Sequence, residues 1–115
     1  MRYIFLIYTR EADRNGESVR ERHYAVMDAA SARGVLVAAQ PLQETSTATT
    51  VRMTEGKPLI TDGPFAETKE QLAGYYIIDC KDLDEAIEWA KKIPTTCQGG
   101  AGCIEIRPLH ELPPR

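Results

Sequence analysis

Residues 2–9 are apolar on both sides of an extended chain, with one alternating set facing each way: Tyr3, Phe5 and Ile7, and Ile4, Leu6 and Tyr8. Because successive side chains of a strand point to opposite faces of its sheet, this pattern predicts a strand that is covered on both faces. Five more segments have the composition of strands: residues 35–40, 47–54, 57–61, 72–80 and 103–109. The third and fourth strands flank a turn at Glu55 and Gly56, so they are predicted to form a hairpin.

Apolar residues recur at helical spacing in two segments. Residues 18–33 carry an apolar stripe that consists of Val19, His23, Val26, Met27 and Ala30. Ser18 is the expected N-cap of this helix, with Glu21 as the partner that completes a capping box. Residues 82–93 form the second predicted helix, which Asp82 caps and which stops before a proline.

The order of these elements is β-α-β, then the hairpin, then β-α-β. This order predicts an α+β fold, the ferredoxin-like βαββαβ arrangement with an inserted β-hairpin, as a single domain over residues 1–115. Both helices then cover one face of an antiparallel sheet. Since several strands are apolar on both sides, the other face would expose a large apolar patch. We expect a second copy of the chain to cover it in a two-fold homodimer, and the protein's own hairpin folding back is the alternative.

Charge and composition exclude several classes of function. The formal net charge is -3 and no run of basic residues occurs, so we expect no nucleic-acid partner. No apolar segment is long enough to span a membrane and no secretion signal is visible, so we expect a cytoplasmic protein without membrane contact. The 3 cysteines are expected to be free thiols, and the spacing of Cys97 and Cys103 is a weak metal signal. Nothing in the sequence requires a cofactor or a metal.

Residues 61–70 form the most distinctive segment of the chain, TDGPFAETKE. One interpretation is structural: Asp62 makes an Asx turn, and Gly63 supplies a special backbone angle. Pro64 would then stiffen the corner, and Phe65 would fill a gap in the core. The other interpretation is functional, because the segment connects an edge strand to a central strand and could lie over the mouth of a cleft. Both interpretations stay open at this point.

His23 lies within the apolar stripe of the first helix, where a histidine is either a hydrogen-bonded core residue or a general acid or base. A catalytic imidazole needs an orienting partner. Asp28 points away around the helix, whereas Asp62 could approach His23 only through the fold. The catalytic candidates are therefore His23 and Asp62, and the expected cleft also contains candidate ligand contacts from Tyr3, Tyr8 and Phe65.

Residues 62–72, DGPFAETKEQL, resemble the signature of the YCII-related family in its DGPF-domain branch, and the resemblance extends over about residues 2–109. It implies a dimeric α+β barrel that is built from ferredoxin-like halves. Members of this branch are often associated with genes for extracytoplasmic-function sigma factors. The signature loop adds five candidate site residues: Gly63, Pro64, Glu67, Thr68 and Lys69.

The resemblance also implies an active site, because the wider family has a proposed pair of a histidine and an aspartate on the first helix. His23 matches the histidine by its distance to Gly34. The aspartate position, near the end of the helix, falls on about Ala32. The pair is therefore incomplete in this chain unless Asp62 supplies the carboxylate.

Two functions follow from these observations. The first is a small-molecule enzyme or binding protein in which His23 moves a proton on or off a small acidic or phenolic compound, as lyases and isomerases of the dimeric barrel superfamily do. The second is a non-enzymatic dimeric interaction module that is linked to sigma-factor-associated regulation. A cavity that exposes the His23 imidazole beside a carboxylate would favour the first function, and an exposed Phe65 would favour the second.

Overall fold

The computed structural model describes residues 1–13, 16–95 and 102–115 of the chain. The main sheet has four antiparallel strands in the order β2-β5-β1-β6: β1 is Arg2–Thr9, β2 is Leu36–Pro41, β5 is Gln71–Asp79 and β6 is Gly102–Pro108. The helices are α1 (Glu17–Ala32) and α2 (Leu83–Ala90), and the inserted hairpin consists of β3 (Thr49–Thr54) and β4 (Lys57–Asp62). This arrangement confirms the predicted ferredoxin-like α+β fold. Neither of these two helices is long and apolar enough to cross a membrane.

One face of the main sheet packs against both helices and forms the core. The buried side chains of this core come from β1, β5, α1 and α2, and include Tyr3, Phe5, Ile7, Val26, Ala30, Tyr76, Ile78, Ala86 and Trp89. Phe5 lies opposite Tyr76 on the neighbouring strand, so a large aromatic side chain from each of the two central strands meets the other on this face. The predicted apolar stripe of the first helix therefore faces the sheet, as its spacing indicates.

The opposite face of the main sheet carries a second apolar set, whose members are half-buried in the single chain: Ile4, Leu6, Tyr8, Tyr75 and Ile77. We call it the open face. The molecule measures 47 × 44 × 19 Å, and the smallest extent corresponds to one sheet and one layer of helices. Because β3 and β4 pack substantially only against each other, the hairpin does not fold back over the open face. That alternative is therefore wrong for the single chain.

The hairpin is an isolated two-stranded sheet. It turns at Glu55 and Gly56, which both have positive φ (53° and 79°), as a type I′ turn requires. One face of the hairpin carries exposed apolar side chains in the cross-strand pairs Val51–Ile60 and Met53–Pro58. A hairpin without a covered face is only marginally stable in water, so this element depends on its turn and on the loop that follows it.

The two helix starts differ from one another in how they are capped. Asp82 caps α2, since its Oδ1 atom accepts a hydrogen bond of 2.9 Å from the backbone N–H of Glu85, which confirms the prediction. The prediction that Ser18 caps α1 is wrong. The N-cap is Gly16, α1 begins at Glu17, and no side chain within the described ranges caps this helix. Glycine is accepted at an N-cap, so the chain enters the helix there and Ser18 falls inside the first turn.

Candidate functional site

A cavity of about 360 Å³ lies between α1 and the main sheet. Its wall is formed by α1, β1, β2 and β5, together with Gly16 and Thr95. The side chains that α1 contributes are Val19, Arg20, His23, Tyr24 and Met27. A concave site of this volume accommodates a small molecule, and polar groups that converge on it mark a candidate binding site.

The local sequence explains why His23 faces this cavity. Three buried residues define the side of α1 that packs on the sheet: Val19, Val26 and Ala30. His23 lies four residues after the first of them and therefore shares that side of the helix. On the sheet, Gly74 permits β2 and β5 to approach each other, because a Cβ atom there would lie 2.9 Å from the carbonyl oxygen of Gln40.

His23 is paired with Tyr76 across the cavity wall. The Nδ1 atom of His23 lies 2.7 Å from the Tyr76 hydroxyl, and the two rings stack with centroids 5.8 Å apart. The same hydroxyl also donates to the backbone carbonyl of His23 at 3.4 Å. In the described part of the chain, no group hydrogen-bonds the Nε2 atom of His23. Of the two ring nitrogens, Nδ1 is thus the one that the described residues hold.

Burial changes the ionisation of both partners. It lowers the pKa of His23 below its usual value, and the neighbouring Arg22 guanidinium lowers that pKa further. Burial also raises the pKa of Tyr76 to about 12. At neutral pH the pair therefore consists of a neutral imidazole and a protonated phenol. A neutral imidazole has a lone pair and can accept a proton.

The structure does not bring a carboxylate to His23. The described residues that line the cavity include no aspartate or glutamate. Asp62 is exposed at the end of β4, and Ala32 is exposed at the end of α1. The expected meeting of His23 and Asp62 is therefore absent from the single chain, and Tyr76 holds the imidazole instead. A catalytic role for Asp62 stays a prediction.

The three predicted ligand contacts lie in three different places. Tyr3 is 5% exposed and belongs to the core, away from the cavity wall. Tyr8 lies on the open face, where its hydroxyl is 3.5 Å from Glu105, and burial and then this carboxylate raise its pKa. Phe65 is 77% exposed on the signature loop, so it does not fill the core as the structural interpretation expects. None of the three lines the cavity with His23.

The signature loop is organised by hydrogen bonds to backbone carbonyl groups, most of them donated by side chains. The Gly63 N–H donates to the Ala48 carbonyl at 2.7 Å, and the Thr50 hydroxyl donates to the Gly63 carbonyl at 2.8 Å. Gly63 has φ of 97°, which confirms that this position needs a glycine. Other hydrogen bonds within the loop region run from Arg52 to the Phe65 carbonyl, from Gln71 to the Thr68 carbonyl, and from the Thr68 hydroxyl to the Glu70 carbonyl.

The remaining polar residues of the loop face solvent. The side chains of Glu67 and Lys69 are exposed, and Pro64 is half-buried at the corner. Asp62 makes no side-chain hydrogen bond within the described ranges, so the expected Asx turn does not form there. A role of these residues in binding stays a prediction.

No cluster of metal-ligating side chains occurs in residues 1–13, 16–95 and 102–115. Cys103 is an exposed free thiol, and Cys80 is a buried one whose pKa burial raises to about 11. Cys97 lies outside the described residues, so the metal signal of the Cys97 and Cys103 spacing stays a prediction.

Thr9, Arg20 and Tyr76 are among the cavity residues that sequence reasoning did not name as site residues. Alternation along β5 places Tyr76 on the helix-facing side, since Tyr75 points the other way, and this signal was available. Arg20 precedes His23 by one helical turn, so helical spacing also indicates a shared surface. Nothing in the sequence indicates that Thr9 belongs to a site, because it is simply the last residue of an apolar strand.

Comparisons with known proteins agree with the resemblance to the YCII-related family, and the DGPF-domain branch stays a prediction. A model of the YCII-related domain matches residues 1–113 of the chain. An uncharacterised protein of Rhizobium meliloti (strain 1021) is 36% identical over 115 residues, which cover 95% of this chain and 92% of that protein. The match extends over both halves of the ferredoxin-like fold and the hairpin between them. The chain therefore belongs to the YCII-related family.

Proposed function

We propose that this protein binds a small acidic or phenolic compound in the cavity beside α1 and that His23 moves a proton on or off it, in the manner of a lyase or isomerase. The observation that carries the proposal is the hydrogen bond of 2.7 Å between His23 Nδ1 and Tyr76 on the wall of that cavity. A general base needs a group that fixes its orientation, and Tyr76 supplies one where no carboxylate is present.

The geometry fits one tautomer of the imidazole. If Nδ1 carries the hydrogen and donates to the Tyr76 oxygen, the Tyr76 hydroxyl can donate to the His23 carbonyl. The lone pair then lies on Nε2. Nε2 takes a proton from the ligand, and the electron pair of the broken bond stays on the ligand. The imidazolium returns the proton to the same or a neighbouring atom. Because burial disfavours the imidazolium, it favours the return of the proton to the ligand.

Proton exchange tests this function directly. The experiment follows exchange of carbon-bound hydrogen into D₂O by NMR, for a panel of small carboxylic acids and phenols, with and without the protein. We expect exchange for one class of compound, with a loss of at least one hundredfold in His23→Gln. His110→Gln is the matched control, since His110 is exposed in the C-terminal segment. Equal exchange by the wild type and His23→Gln would exclude proton transfer by this residue.

We also propose that the protein forms a homodimer through the open face. The support is the half-buried apolar set on that face and the extent of 19 Å, which leaves the sheet with helices on one side only. Leu6→Lys places a charge at the centre of the open face and should convert the dimer to a monomer in light scattering. Leu112→Lys is the control, because Leu112 is exposed in the C-terminal segment. A wild type that is monomeric at micromolar concentration would contradict the proposal.

One observation favours a second function. Phe65 is exposed beside Pro64, which is the arrangement expected of an interaction module linked to sigma-factor-associated regulation. A purified extracytoplasmic-function sigma factor from the same organism is the probe for this function. Binding that is lost in Phe65→Ala and unchanged in His23→Gln would support the module. Failure of the wild type to bind at micromolar concentration would leave the cavity as the functional site.

A further inference from the structure

We infer that the cavity beside α1 contains a carboxylate subsite formed by Arg20 and Thr9, so that its ligand is a small carboxylic acid and not a neutral phenol. The inference rests on the proposed function, because it names the class of compound that is placed beside His23. Three features of the cavity support it: the charge of its wall, the start of α1 and one buried hydroxyl group.

The charge of the cavity wall is positive. Arg20 is the charged side chain that lines it, and no acidic side chain of the described residues does so. Arg20 precedes His23 by one turn of α1, which places a guanidinium and an imidazole on the same surface of the cavity. A carboxylate has two acceptor oxygens that match the paired N–H groups of a guanidinium. A phenol is neutral at physiological pH and cannot exploit this charge.

The start of α1 adds donors at the same end of the cavity. Gly16, the N-cap, lines the cavity, and no side chain of the described residues caps the helix. The first helical hydrogen bond runs from the Arg20 N–H to the Gly16 carbonyl at 3.1 Å. The N–H groups of the preceding turn therefore have no partner within the helix. Together with the helix dipole, such groups favour an anion.

Thr9 supplies the independent observation that a ligand group is expected. It lines the cavity and is 1% exposed, and its hydroxyl has no hydrogen-bond partner among the residues that the structure describes. A buried hydroxyl without a partner destabilises a protein. A carboxylate oxygen would accept a hydrogen bond from it after rotation about the Thr9 side-chain bond.

Binding of benzoate, benzamide and inorganic phosphate, measured by calorimetry on the full chain, tests the subsite. Benzamide has the shape of benzoate without its charge. We expect benzoate to bind at least tenfold more tightly than benzamide, and Arg20→Gln to weaken benzoate binding about tenfold. Arg20→Lys should retain part of the affinity because it keeps the charge. Arg115→Gln, which removes an equal charge from the exposed C-terminal segment, should leave binding unchanged.

Thr9 is tested by a pair of variants. Thr9→Val keeps the shape and removes the hydroxyl, so benzoate binding should weaken roughly threefold to tenfold while the melting temperature rises. Thr9→Ser keeps the hydroxyl and should retain the affinity. A lower melting temperature in Thr9→Val would show that the hydroxyl has a partner within the protein, and unchanged benzoate binding would show that it contacts no ligand. Either result would overturn the role of Thr9.

The outcomes separate this inference from the function on which it rests. Equal affinity for benzoate and benzamide, or phosphate binding as tight as benzoate binding, would overturn the carboxylate assignment even if His23 exchanges protons. Conversely, if benzoate binds through Arg20 and Thr9 but no carboxylic acid exchanges its hydrogen, the subsite stands and the proton-transfer proposal fails.

Discussion

The cavity beside α1 and the hairpin with its signature loop are organised in opposite ways. The cavity is built from ordinary residues of five separate segments, and its central contact joins His23 to Tyr76 across 53 positions of the chain. The signature loop is the most distinctive segment of the sequence, yet its hydrogen bonds are local and Phe65 is exposed. The loop is therefore recognised from the sequence more easily than the cavity, whereas the cavity has the geometry of a small-molecule site.

This difference separates two kinds of sequence signal. A short motif such as residues 62–72 indicates family membership because its residues are adjacent and its turn needs Gly63. A binding site depends on residues that come together only when the sheet and α1 pack. The difference between the two regions can be tested by identical changes made in each of them.

The largest difference is expected for phenylalanine. Phe5 is fully buried in the core, so Phe5→Ala should lower the free energy of unfolding by about 3–5 kcal/mol. Phe65→Ala, made in the exposed loop, should change it by less than about 0.5 kcal/mol. Urea denaturation measures both. If Phe65→Ala instead lowers the free energy of unfolding by more than about 1 kcal/mol, and does so only at high protein concentration, an assembly of the protein covers the loop.

Glycine to alanine substitutions should give the next largest effect. Gly74→Ala places a Cβ atom 2.9 Å from a carbonyl oxygen of β2. Because that oxygen cannot move away unless the strand moves, we expect the free energy of unfolding to fall by about 2–3 kcal/mol. Gly63→Ala meets no neighbour but must adopt φ of 97°, so about 1 kcal/mol should be lost. The two losses are compared by thermal unfolding. Since Gly74 lines the cavity, its variant should also weaken ligand binding, whereas Gly63→Ala should not.

The smallest effect concerns pH. The pKa of His23 is below its usual value in the folded protein, so the unfolded chain binds more protons between the folded value and about pH 6.5. The free energy of unfolding should therefore fall as pH decreases through this window, with no further contribution from His23 below it. His23→Gln should remove this component from a series of urea titrations between pH 7.5 and pH 5. His110→Gln should retain it, and identical pH profiles for all three proteins would contradict the lowered pKa.

Much of the fold was predictable because the responsible interactions are local or periodic. The composition of residues 2–9 predicted a strand, which is β1, and Asp82 predicted the start of α2 through a bond to a residue three positions away. The failure at Ser18 is also local. Gly16 and Ser18 both permit a helix to begin, and the choice between them depends on how the preceding loop meets α1.

The site was predicted less well because its contacts are long-range. The position of His23 on the sheet side of α1 followed from helical spacing, but nothing near it in the sequence indicates that Tyr76 is its partner. Asp62 was preferred because a histidine site is expected to contain a carboxylate. Its exposure at the end of β4 could not be inferred without knowing that the hairpin forms a separate sheet.

That separate sheet has a consequence for how the molecule opens. The ladder between β3 and β4 is not shared with the main sheet, so it can be lost while β1 and β5 stay paired. Amide protons of the hairpin should therefore exchange with solvent through local opening, at a free energy below that of the central strands. A partner that covers the hairpin would slow exchange at those amides alone, whereas a ligand in the cavity would protect β5 and α1.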